Sequence, residues 1–137
     1  MDLLTILPQP TKASAPFWEA CDRQELKLPS CEDCGHLFYY PRMHCPKCGG
    51  GMLIWKPVSG KGSIFTFTHV AVSFHGPTWE SQLPYTVVLV DLDEGPRMLS
   101  RLIDDPGRAV RAGDRVSVTF PEIEGRRLPF FRRDTQN

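Results

Sequence analysis

Two cysteine pairs, Cys31-Glu32-Asp33-Cys34 and Cys45-Pro46-Lys47-Cys48, constrain this chain more than any other feature. Two residues between cysteines let both sulfurs turn toward one ion while backbone amides point at them. Glycine follows each pair, Gly35 in the first and Gly49-Gly50-Gly51 in the second. It permits the positive-φ turn that tightens such a knuckle. Two knuckles face to face make a tetrahedral four-thiolate site, the arrangement zinc prefers, and iron fits the same donors. The gap from Cys34 to Cys45 is ten residues, shorter than the roughly 15–20 often seen between such pairs. It still suffices for a minimal hairpin, with His36-Leu37-Phe38-Tyr39-Tyr40-Pro41 as its first strand.

Disulfide pairing is the competing reading, and it belongs to oxidising compartments. The apolar start Leu3-Leu4-Thr5-Ile6-Leu7 meets Pro8 at once, too short for a signal-peptide core or a membrane span. A cytoplasmic protein is therefore expected. A thioredoxin-type redox pair is disfavoured, since there are two pairs and neither lies in a βαβ context. Cys31, Cys34, Cys45 and Cys48 together fill the tetrahedron of one zinc per chain and leave no open position for catalysis. The metal is expected to be a folding staple for a segment too small to hold a core of its own. His36 and His44 flank the knuckles as surplus donors, and Cys21 reads as a small buried apolar residue.

Thirteen prolines and eleven glycines among 137 residues cut the rest into short pieces. The one good helix candidate runs from Ser14, a possible cap, through Pro16, Phe17, Trp18 and Cys21 to Glu25. Phe17, Trp18 and Cys21 share a face, which either packs on the body of the domain or docks on a partner. From Leu53 onward β-branched and aromatic runs separated by turns predict about five strands. The run from Ser63 to Phe74 is the long, bent one, and Tyr85 to Leu92 is the clearest. A short tail follows Phe120. The expected fold is mainly β: an N-terminal helical segment over 1–28, a rubredoxin-like zinc ribbon over 29–56, and a five-stranded OB-fold barrel over 57–137. A β-sandwich is the fallback and would want more strands.

Sixteen basic residues balance sixteen acidic ones, which argues against binding driven by excess positive charge at nucleic acid or membrane. Serine elbows, paired catalytic carboxylates and phosphate-binding glycine loops are absent from the sequence. His69 and His75 bracket an aromatic strand end, as surface residues or as ligand contacts. The aromatics Phe65, Phe67, Phe74 and Trp79 could stack bases, so a single-stranded nucleic-acid-binding module is the alternative function. The final third is rich in arginine, including Arg132 and Arg133, a residue type suited to phosphates.

Taken in order, several motifs resemble one family closely. They are the Phe17-Trp18 helix, Cys31-x-x-Cys34-Gly35, Pro41-Arg42 before Cys45-Pro46-x-Cys48, and Gly60-x-Gly62. Leu83-Pro84-Tyr85, Leu92-x-Glu94-Gly95-Pro96-Arg97 and Val110-x-Ala112-Gly113-Asp114-x-Val116 complete the set. From about Ser14 to Arg132 the chain resembles the zinc-ribbon/OB-fold family of accessory subunits of acyl-CoA enzymes. The resemblance implies a hetero-oligomer with a thiolase-like catalytic subunit, or with an aldolase or hydratase. That partner would carry the reactive residues while this chain helps shape the acyl-CoA site. Phe17, Trp18, Phe38, Tyr39, Tyr40, Trp79, Arg132 and Arg133 are the candidate contacts with acyl-CoA or the partner.

Overall fold

A computed structural model describes residues 7–73, 76–103 and 109–134. In chain order these form α1 (Ala15–Asp22), β1 (Lys27–Cys31), β2 (Leu53–Pro57), β3 (Lys61–Val70), α2 (Pro77–Glu80), β4 (Tyr85–Leu92) and β5 (Arg97–Leu102). They are followed by β6 (Arg115–Thr119), β7 (Glu122–Ile123), β8 (Arg126–Arg127) and β9 (Phe130–Arg133). Strands β3, β4, β5, β9 and β6 close, in that order, into a barrel, as the OB-fold expectation requires. The apolar alternation of β4 explains its place: Val88, Val90 and Leu92 point inward and are buried, while Val87, Leu89 and Asp91 between them are only partly covered.

The long strand β3 bends as its sequence suggests. Its first residues pair with both β4 and β6, and the register slips at a bulge between Ile64 and Thr66. Gly62 lies at this crowded corner, where a Cβ would collide with the Asp91 carbonyl oxygen and the Val90 side chain. The segment after Phe120, expected to be a tail, is instead structural. Residues 122–127 form the β7–β8 hairpin, and β9 supplies the fifth barrel strand, antiparallel to β6 and parallel to β5 through Leu102 and Phe131.

The ribbon also departs from its expected layout. His36–Pro41 forms no strand; Leu37 makes only an isolated bridge with Ser30. The regular hydrogen bonding lies outside the knuckles, where β1 pairs antiparallel with β2 from Lys27 and Pro57 to Cys31 and Leu53. Residues between the knuckles must carry the chain across from one to the other. The Phe38 amide therefore donates to Pro29 O, and the Cys31 amide to His36 O, while Pro41 has no N–H to give a ladder.

Helix α1 packs inward. Ser14 does not cap it through its side chain; its hydroxyl accepts from the Thr11 amide at 2.8 Å. Phe17, Ala20 and Cys21 are fully buried, and Trp18 nearly so. The chain has more surface to cover this helix than its early position suggested, because distant segments fold back over it. Arg126 in β8 reaches Asp22 at 3.4 Å, and Leu26, Leu28 and Leu128 join the same core as Val88 and Phe131. For Phe17 the docking alternative is thus replaced by internal packing.

Candidate metal centre and apolar cavity

The four cysteine sulfurs converge. Cys31 and Cys48 lie 3.5 Å apart, Cys34 and Cys45 lie 3.6 Å apart, and all four fall within 4.8 Å of one another. An ion held by bonds of about 2.3 Å sets tetrahedral sulfurs about 3.8 Å apart, so the donor set and its spacing fit one metal. The knuckle amides complete the arrangement: Lys47 N–H points at Cys45 Sγ at 3.3 Å and Gly50 N–H at Cys48 Sγ at 3.4 Å.

Close neighbours push the Cys45 and Cys48 thiols in opposite directions. Partial burial pushes Cys45 up, but amides of Cys48 and Lys47 and neighbouring thiols outweigh it and bring the group down to about 7. The Gly50 amide favours the Cys48 thiolate, yet the sulfurs of Cys31, Cys34 and Cys45 drive it up to about 12. One sulfur gains what another loses, the behaviour of a cluster that a bound cation would settle. Cys21 lies apart, and burial pushes its thiol up to about 12, so it is an inert core group.

A second feature opens where α1, the ribbon and the barrel meet. It is a cavity of about 450 Å³ whose lining includes Trp18, Tyr39, Trp79, Tyr85, Arg101 and Phe130. Helix α1 supplies Trp18, the inter-knuckle segment Tyr39, α2 Trp79, and the barrel the rest. Trp79 and Tyr85 rings lie 5.9 Å apart. Arg101 extends between Tyr85 and Phe130, 4.8 and 5.6 Å from their ring centres, and donates to the Gln82 side-chain and backbone oxygens at 3.2 and 3.4 Å. Desolvation by burial pulls its guanidinium below the ordinary arginine value.

Of the residues singled out from the sequence, Trp18, Tyr39 and Trp79 come together here. Phe38 is buried and stacks on His36 at 5.8 Å. Tyr40 is partly exposed and lies edge-on to Tyr39. Arg132 is exposed on β9. Arg133 is buried, not offered to a ligand: its Nη1 donates to Ala109 O at 2.7 Å and lies 3.7 Å from Asp114. His69 pairs with Thr86 Oγ1 at 2.9 Å, and His75 lies outside the described residues. Tyr85, Arg101 and Phe130 were not among the candidate contacts. A period-two pattern in β5 held the signal: Met98 and Leu102 face inward, so Leu99 and Arg101 face out, and an outward Leu99 that is 55% exposed is anomalous.

Phe65, exposed beneath the Arg97 guanidinium, lies on the same outer face, with Leu89 and Leu99 paired beside it on β4 and β5. Among the described residues no helix is long and apolar enough to cross a membrane.

Residues 18–52 match the ChsH2 rubredoxin-like zinc ribbon domain, and residues 55–121 match the ChsH2 C-terminal OB-fold domain. A DUF35 domain-containing scaffold protein of Methanothermobacter thermautotrophicus is 33% identical over 104 residues, 74% of this chain and 75% of that protein. The benzoylsuccinyl-CoA thiolase subunit BbsA of Thauera aromatica is 27% identical over 122 residues, 89% of this chain and 76% of that subunit. Among solved structures, a chain of the Ltp2-ChsH2(DUF35) aldolase superposes with a TM-score of 0.80 at 27% identity, covering 93% of this chain and 98% of that one. With one relative a third identical over three quarters of its length, and with ribbon and barrel matched in the same order, the chain belongs to the DUF35 family and carries its zinc-ribbon and OB-fold domains.

Proposed function

We propose that this chain is the non-catalytic small subunit of a thiolase-type acyl-CoA enzyme, stabilising the complex and helping to form its acyl-CoA site. The observation that carries the reading is the apolar outer face of the barrel. Alternation should leave that face polar, yet Phe65 and Leu99 stand on it half-exposed with Leu89 between their strands. A large partner surface is the natural cover for such a patch, with aromatic and aliphatic anchors at its centre. The relatives add direction, since one is named as a thiolase subunit and another as part of an aldolase. Zinc held by Cys31, Cys34, Cys45 and Cys48 would supply folding energy and no chemistry, because four sulfurs leave it no open position.

The nucleic-acid alternative loses ground at the arginines. Arg97 is paired with Asp91, Arg115 with Asp93 and Arg126 with Asp22, while Arg133 is buried beside Asp114. A basic groove for single strands is not what these pairs leave.

Co-expression with the candidate thiolase-like subunit tests the proposal. The two chains are expected to co-elute at micromolar concentration, and CoA-dependent cleavage of the 3-oxoacyl-CoA is expected to require both. Full solubility and activity of the large subunit alone, or failure to co-elute, would reject it. Leu99→Lys should weaken the complex while leaving this chain's own melting temperature nearly unchanged.

A further inference from the structure

Two buried N–H groups belong to side chains that line the cavity. Trp18 Nε1 and Arg101 Nε are both buried and have no hydrogen-bond partner among the described residues, and both side chains line the same 450 Å³ space. Folded chains leave few such donors unpaired, so an unpaired donor calls for an explanation, and a missing ligand is one. Trp18 is 8% exposed, so bulk water does not readily serve it.

Charge narrows the ligand further. Among the described residues every partner of the Arg101 guanidinium is neutral: two oxygens of Gln82 and the faces of Tyr85 and Phe130. Asp91, Asp93 and Asp22 are engaged by other arginines. A planar cation with an unused Nε–H in an apolar, aromatic space suits a carboxylate, whose oxygens match the guanidinium fork. The remaining lining suits a hydrocarbon or aromatic body, and the volume lies in the range of small-molecule sites.

We propose that this cavity is a binding site for an apolar carboxylate, its oxygens taken by Arg101 and the Trp18 indole N–H and its body held by Trp79, Tyr85 and Phe130. If the subunit role holds, the natural occupant is the free acid end of a carboxylate-bearing acyl group. The binding itself needs no partner, so it stands or falls separately from that role.

Phenylbutanoate, with phenylbutanol as its uncharged match, can be titrated into the full chain by calorimetry. Saturable binding of the acid is expected, tighter than that of the alcohol, with a shift of the Trp18 indole N–H resonance. Arg101→Gln should weaken the acid by about tenfold and leave the alcohol unchanged. Circular dichroism checks that the variant folds; if it does not, Trp18→Phe carries the test with an expected loss of about threefold. Absence of saturable binding, equal affinity for acid and alcohol, or an acid affinity untouched in the folded variant overturns the proposal.

Discussion

Phe17 occupies the junction of helix, ribbon and barrel with no exposed surface, its ring 4.8 Å from that of Trp18 and 6.0 Å from that of Tyr39. Phe17→Ala is expected to destabilise the fold by about 3–5 kcal/mol in denaturant titration. Arg132→Ala, on the surface of β9, should cost little. At the metal centre, elemental analysis should find one zinc per chain in the wild type, and Cys34→Ser should lose the metal and unfold the ribbon. A Cys34→Ser protein that keeps its fold would show that the metal does not hold the ribbon. The cysteines were legible because metal chemistry fixes both residue type and spacing. Trp79 was legible as a large aromatic on a short element. Arg101 was not, because an outward arginine in a strand reads as a solvated charge until Tyr85, Phe130 and Gln82 are seen around it.

Elements show the same division. Apolar alternation revealed β4 and β3, yet β1 escaped because Lys27-Leu28-Pro29-Ser30-Cys31 contains a proline and only a short apolar run. It is a strand because β2 pairs with it and the barrel core covers it. Strand β9 was hidden by its charged end, although Phe131 is fully buried. Close packing at the β3 corner predicts that Gly62→Ala costs about 1–3 kcal/mol, since a carbonyl oxygen of β4 stands where the methyl would go. Between the β4–β5 turn and β6, Arg115 donates to both Asp93 oxygens at 2.8 and 2.7 Å. That hydrogen bonding holds the carboxyl below its ordinary value. A depressed acid contributes stability above its unfolded value and loses it as pH falls through the folded one. Asp93→Asn should therefore flatten the acid side of the stability profile below about pH 4, a small effect for so exposed a pair. Melting curves across that range would check it.

Across the whole molecule one core joins what sequence would divide. Phe17 and Leu28 from the helix and ribbon share a cluster with Val88, Met98 and Phe131 from the barrel. Metal loss that unfolds the ribbon is thus expected to take part of the barrel's core with it, so chelation should lower the melting temperature of the barrel as well, which differential scanning calorimetry reads. The closure of the barrel by β9 has a further consequence for the order of events at the ribosome. Until residues 130–133 emerge, β5 and β6 are unpaired sheet edges, open to any passing strand. The metal-binding half, by contrast, is complete once β2 has appeared, long before the barrel can shut. Synthesis therefore delivers a staple first and a gap last, and the interval between them is when this chain is most exposed to aggregation.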